Sequence, residues 1–213
     1  ASLRAYGVIS LFDGVSSVIR TLKQKLKRPP TAAILAENDE KLRALVCAEY
    51  GFRADQKWGY TQDGAACLYV KDVHQLIAND CKILREAVTA FPEMKWFIVG
   101  GSPCQDLTFA GPSQGILGLV GAQSRLFFVL LCVIRTMQVL AGVSCVRYLV
   151  ENAGSMKAYH LQAFCKLLGL CSKDTNSFIW DLLKYTPYIS RKRNFFRNFD
   201  DCEPMQPISD FFH

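Results

Sequence analysis

The sequence predicts an α/β protein built on a doubly wound, mostly parallel sheet. Short apolar segments of strand length alternate with longer stretches of helical periodicity, the sequence signature of repeated βαβ units. Several of the strand-like segments end in glycine or a carboxylate, where α/β sheets bind ligands. The 213 residues, half of them apolar, fit one large domain with a substantial core.

The elements follow in order. Tyr6 to Phe12 reads as a first buried strand. Ser16 to Lys27 reads as a helix with Val18, Ile19, Leu22 and Leu26 on one face, stopped by Pro29-Pro30. Thr31 to Glu37 is a second strand and Asp39 to Tyr50 a second helix. Gly51 to Ala66 is polar and irregular, a long loop or insertion. Leu68 to Val70 is a short strand ending near Asp72, and His74 to Phe91 is mostly helical. Met94 to Val99 is a fourth strand, Gly100 to Gly121 a glycine-rich loop and Ser124 to Leu140 a strong helix. Val146 to Val150 is a fifth strand and Met156 to Leu170 a helix; Ser177 to Leu183 and Asn194 to Asn198 are late strands. There are no repeats, and no composition shift marks a domain boundary.

Composition excludes several classes. No apolar run reaches the roughly 20 residues of a membrane span; Cys132, Arg135 and Gln138 interrupt the nearest, Leu126 to Val143. The N-terminus lacks the pattern of a secretion signal. Nine cysteines without a CxxC pair, and three histidines, argue against a disulfide framework or a metal site. A net charge of +6 is compatible with a polyanion partner. Arg20, Lys23, Lys25, Lys27 and Arg28 read as a solvated helix face. Lys184, Arg191, Lys192, Arg193 and Arg197, interleaved with Tyr185, Tyr188, Phe195 and Phe196, form the better candidate for nucleic-acid contact.

Two groups of residues carry chemistry. The first strand ends in Phe12-Asp13-Gly14 and runs into a helix, so the backbone can approach a ligand at a helix N-terminus. The second ends in Glu37-Asn38, where a carboxylate can accept both hydroxyls of a ribose. The third ends near Asp72-Val73, where an acid can accept from an adenine amine. An incomplete GxGxxG disfavours a dinucleotide, and the lack of a Walker lysine disfavours ATP. The other group begins with Cys104, which follows Gly100-Gly101-Ser102-Pro103 at the end of a strand. Glu151 ends another strand 47 residues on. Cytosine C5 is too weak a nucleophile to take a methyl directly. A thiolate added at C6 makes it enamine-like, and a glutamic acid can serve N3. A thiolate needs an electropositive surround, which Arg191 and Arg193, on one side of an extended segment, can supply.

In this order Phe12-Asp13-Gly14, Glu37, Asp72, Ser102-Pro103-Cys104, Glu151-Asn152 and Arg191-Lys192-Arg193 resemble the motifs of the cytosine-5 DNA methyltransferases. Ile98 to Leu107, Ser124 to Phe128 and Asn194 to Asn198 look most like the eukaryotic de novo subfamily, and the resemblance covers roughly residues 6 to 200. It implies the Rossmann-like fold of S-adenosylmethionine-dependent methyltransferases and S-adenosyl-L-methionine as cofactor. Cys104 is then the nucleophile and Glu151 the partner of N3 and the exocyclic amine. Arg193 contacts the base O2, with Arg191 in support. Phe12, Asp13, Gly14, Glu37, Asn38, Asp72, Val73, Ser102 and Pro103 line the cofactor site, with Phe12 on the adenine, Glu37 on the ribose and Asp72 on the amine. The target cytosine is flipped out of the duplex. The resemblance also implies a DNA partner, nuclear residence, and pairing through the Phe127-Phe128 region, against which stands simple core packing of both rings.

The chain departs from the family pattern at three points. Val15-Ser16 follow Gly14 where a second glycine is usual, Ala153 follows Glu151-Asn152 where valine is common, and nothing in Asp200 to His213 resembles a target-recognition region or the family's last motif. The expectation is a single catalytic domain over residues 1–213 without those parts. A catalytically weak or silent subunit that binds a partner methyltransferase, and an RNA cytosine-5 methyltransferase, remain open alternatives.

Overall fold

A computed structural model describes residues 5–51, 58–107, 118–170, 177–181 and 192–199. The chain divides into two compact units. The first comprises residues 1–100, 132–147 and 201–213, the second residues 101–131 and 148–200.

In the first unit the strands are β1 (Tyr6–Leu11), β2 (Ala32–Ala36), β3 (Gly59–Tyr60), β4 (Ala66–Val70) and β5 (Lys95–Gly101, whose last residue belongs to the second unit). They lie in the order β3-β4-β2-β1-β5. β1 runs parallel to β2, with Ile9 opposite Ile34, and parallel to β5, with Ile9 opposite Ile98; β2 runs parallel to β4. Every residue of β1, β2 and β4 is buried, as strands covered on both faces require. The chain leaves β1 for β2 on one side and returns through β5 on the other, so a topological switch point lies at the carboxyl end of β1.

The helices of this unit are α1 (Ser17–Leu26), α2 (Glu40–Tyr50) and α3 (Ala78–Ala90). α1 buries Ile19, Leu22 and Leu26 of the face its spacing predicts, with Val18 half-buried at its edge, and ends at Lys27 in the left-handed conformation just before the proline pair. Asp39 caps α2 through its carboxylate, which accepts the N–H groups of Lys41 (2.8 Å) and Leu42 (3.1 Å). The expected helix His74 to Phe91 is in fact a 3-10 turn at Val73–Leu76 followed by α3, whose start is broken by left-handed backbone at Asn79, Asp80 and Cys81. The expected loop Gly51 to Ala66 contains β3, paired antiparallel to β4.

The second unit holds most of β6 (Val146–Ala153), together with β7 (Ser177–Asp181), β8 (Lys192–Arg197), α5 (Ala158–Leu168) and the first part of α4 (Leu126–Ala141). β6 and β7 both run antiparallel to β8. Val146, Tyr148 and Val150 of β6 are buried and alternate with half-buried residues, the period-2 pattern of a strand covered on one face. The core here is aromatic. Phe127 stacks on Phe164 at 3.9 Å between ring centroids, and Phe164 packs on Phe196 at 5.4 Å. Tyr148 donates its hydroxyl proton to the carbonyl of Leu168 (2.9 Å), tying β6 to the end of α5.

Candidate active site

The first unit gathers one set of predicted residues around the end of β1. Phe12, immediately after the strand, takes a positive φ of 57°, and Gly14 takes 59°. This left-handed backbone costs Gly14 nothing, and a Cβ there would meet no atom within 4 Å, so the turn opens onto free space. Glu37, one residue past β2, holds the turn in place. Its Oε2 accepts the N–H of Gly14 (2.9 Å) and its Oε1 the N–H of Asp39 (2.9 Å). Asn38 is exposed beside it.

The departure at Val15-Ser16 now has a structural counterpart. Ser16 is fully buried and left-handed (φ 56°), a conformation a glycine would adopt freely. Its hydroxyl donates to the Asp13 carboxylate, so it does not cap α1. The first turn of α1 also has no acidic residue, so among the described residues its N–H groups receive no side-chain cap at the same end of β1. Burial raises the Asp13 carboxyl to about 6, against the lowering effect of the Ser10 and Ser16 hydroxyls; the nearby Glu37 charge raises it further.

Asp72 ends the β4 segment and is exposed, while Val73 beside it is buried. The Asp72 Oδ1 accepts the backbone N–H of His74 (2.9 Å) and lies 2.8 Å from its imidazole Nδ1. These bonds, the backbone one first, hold its carboxyl below the ordinary carboxylate value. His74 stands only two residues beyond the predicted acid, yet no sequence signal marked it.

The second unit assembles the other set. β5 ends at Gly101, and Ser102, Pro103 and Cys104 follow in a loop. Cys104 is half-buried. Glu151 lies within β6, which runs on to Ala153. In the β6–β8 register Arg193 stands opposite Ala153. Glu151 shares a face with Ala153, so Arg193 sits diagonal to it, within reach of a long side chain. The Arg193 Nε indeed donates to Glu151 Oε1. The other carboxylate oxygen, Oε2, packs over Gly101, where an added Cβ would come within 2.6 Å. The doublet Gly100-Gly101 carried this requirement, although the sequence reading gave it no role.

Asn152 points to the opposite face of β6 and is 1 % exposed. Its amide donates to both the carbonyl and the hydroxyl of Ser102 (3.2 Å each). It therefore fixes the loop that carries Cys104, and the adjacent Glu and Asn have separate partners: Glu151 meets Arg193 and Asn152 braces the loop. Ser102, predicted on the cofactor side, is buried (3 % exposed), and Pro103 is half-buried. Arg191 lies outside the described residues, as do Lys184, Tyr185 and Tyr188. Of the first basic cluster, Arg20 pairs with Glu49 and Lys23 with Asp63. Among the described residues no group of three or more His, Cys, Asp or Glu side chains is placed to hold a metal ion, and no helix is long and apolar enough to cross a membrane.

No family model matches the sequence, and no curated protein matches it. Solved structures do. The Dnmt2 methyltransferase of S. pombe shares 15 % identity at a TM-score of 0.54, over 96 % of this chain and 52 % of that one. The Entamoeba histolytica methyltransferase EhMeth shares 12 % identity at a TM-score of 0.59, over 95 % of this chain and 56 % of that one. The chain thus has the α/β, Rossmann-like fold of methyltransferases and spans about half the length of these structures.

Proposed function

We propose that this chain is the catalytic part of an S-adenosylmethionine-dependent cytosine-5 methyltransferase that acts on DNA in the nucleus, most similar to the eukaryotic de novo branch. The observation that carries the reading is in the second unit: Cys104 is braced through Ser102 by Asn152, whose neighbour Glu151 is paired with Arg193. A nucleophile, an acid for a ring nitrogen and a cation for a ring carbonyl are what addition to cytosine needs.

The residues at the end of β1 fit the cofactor. The open turn at Gly14 admits a ligand against backbone, the uncapped N-terminus of α1 suits a carboxylate, and Glu37 is in place for ribose hydroxyls. Phe12 packs on the adenine, and Asp72, with both described bonds on Oδ1, offers Oδ2 to its amine. Asp13, Asn38 and Val73 complete the surround within the first unit. S-adenosylmethionine, when bound, supplies an electrophilic methyl group on a sulfonium.

Cys104 adds through Sγ to C6 of the flipped base, and the electrons of the C5–C6 double bond become available at C5. Glu151 in its acid form gives a proton to N3 as Cys104 adds and takes it back as the thiolate departs, while its other oxygen accepts from the exocyclic amine. Arg193, supported by Arg191, holds O2. Methylation of C5 would leave S-adenosylhomocysteine as the second product; the C5 proton then passes to solvent water, and the electrons of that C–H bond expel the Cys104 thiolate and restore the ring.

The deciding experiment offers labelled S-adenosylmethionine with duplex DNA and, separately, structured RNA, to the parent chain and to Cys104→Ala. The reading expects methyl transfer to DNA that disappears in the variant, while calorimetric cofactor binding persists. Transfer to RNA alone would replace the substrate assignment. Transfer by the variant, or cofactor binding without transfer by the parent, would count against this chain as the catalytic part.

A further inference from the structure

Asp106 takes part in none of the roles above, yet it is among the most constrained side chains near Cys104. It is 8 % exposed. Its Oδ2 accepts the backbone N–H groups of Gln123 (2.9 Å) and Ser124 (3.0 Å), which belong to the turn leading into α4. That turn is continuous with the helix: Arg125 N–H donates to Gly121 (3.0 Å) and Phe127 N–H to Ser124 (3.0 Å). Gly121 has no side chain to spare here, because an added Cβ would overlap the Asp106 carboxylate.

From this geometry we infer that Asp106 is a positioning residue for the nucleophile, a clamp that fastens the Cys104 loop to the first turn of α4. The inference rests on the reading of Cys104 as nucleophile. Three observations separate a clamp from an ordinary helix cap. A cap normally comes from the residue next to the helix, whereas Asp106 reaches across 17 and 18 positions of sequence. A local hydroxyl suited to capping, Ser124 Oγ, is buried at the same place without a hydrogen-bond partner among the described residues. And the chain around Asp106 is closed back on Cys104: Leu107 is fully buried and donates its N–H to the Cys104 carbonyl (2.9 Å). Cys104 is thus held two residues before, through Ser102 and Asn152, and two residues after, through Asp106. Covalent attack needs the sulfur within about 3–3.5 Å of carbon, so a small loss of this bracing is felt in the chemical step.

The test compares the alkylation rate of Cys104 by iodoacetamide, resolved by peptide mass spectrometry, with that of Cys132. Cys132 is exposed and lies on α4, so it reports loosening of the helix alone. In Asp106→Ala and Gly121→Ala the Cys104:Cys132 ratio is expected to rise about fivefold or more, with Asp106→Asn, which keeps an acceptor, between them and the parent. The kcat of methyl transfer should fall in parallel while KM for S-adenosylmethionine stays unchanged. A ratio unchanged in Asp106→Asn and in whichever of the other two still folds, judged by circular dichroism, overturns the clamp. So does a rise in both rates together, which marks a helix cap. If Cys104→Ala still transfers methyl, the nucleophile reading falls, and the alkylation ratio still decides whether Asp106 holds the loop.

Discussion

Asp13 shows at the level of single residues how a buried carboxyl at a strand end bears on stability. Its carboxyl is raised in the folded protein to about 6, first by burial, against about 3.9 in an unfolded chain. The folded state therefore holds its proton more tightly. The resulting stabilisation is fully present below about pH 4 and is lost as the pH rises through about 6. Asp13→Asn removes the buried charge and leaves an oxygen for the Ser16 hydroxyl. It is expected to stabilise the protein at pH 7.5 by up to about 3 kcal/mol, with the gain shrinking toward zero near pH 4. Denaturant midpoints at the two pH values check this; equal gains at both would refute it. Sequence alone located carboxylates at three strand ends, where an acid can bind a ligand or cap a helix, and favoured the ligand because there are three in succession. Glu37 also ties two turns together, and Asp72 also caps a 3-10 turn through its bond to His74. Such local bonds depend on backbone angles at Phe12, Gly14 and Ser16, which spacing does not encode.

Among the elements, those with a clear period were legible. The mostly apolar runs of β1 and β2 and the one-sided faces of α1 and α5 follow from patterning. β3, two residues long in a polar stretch, carries too few side chains to show a period. The left-handed break at 79–81 interrupts residues of ordinary helical composition, so nothing in the sequence marks it. β6 runs three residues beyond its expected end because Glu151, Asn152 and Ala153 find ladder partners on β8, a pairing between distant segments. That extension holds Glu151 rigidly over Gly101. Gly101→Ala should push the carboxylate away and separate it from Arg193. The expected result is a fall in kcat of about 100-fold with KM for S-adenosylmethionine unchanged. Steady-state kinetics on a variant with an unaltered melting temperature would test it, and a loss below threefold would show that the contact does not matter.

For the chain as a whole, fold class was the most legible property, since alternation of strand and helix survives wide divergence; the solved structures that share the fold are only 12 % and 15 % identical. Association is less determined by pattern. Phe127 and Phe128 were read together, but the structure separates them: Phe127 is fully buried in the aromatic core of the second unit, and Phe128 is 40 % exposed. If the exposed ring mediates pairing, Phe128→Asp lowers the mass seen by light scattering at micromolar concentration without a change in melting temperature. An unchanged mass would mean that the ring is only a surface aromatic. The first basic cluster, read as a solvated helix face, has Arg20 and Lys23 engaged with acids.

The pairing of Arg193 with Glu151 has a consequence for what the site accepts. Two opposite charges closed on each other present a dipole, not a monopole, to an arriving ligand. A neutral heterocycle with an amine at one edge and a carbonyl at the other matches that dipole and meets no net charge to neutralise. A free phosphate or carboxylate would have to pull the arginine away and leave the glutamate uncompensated. On the proposed function, the pair favours uncharged rings over anions at this position.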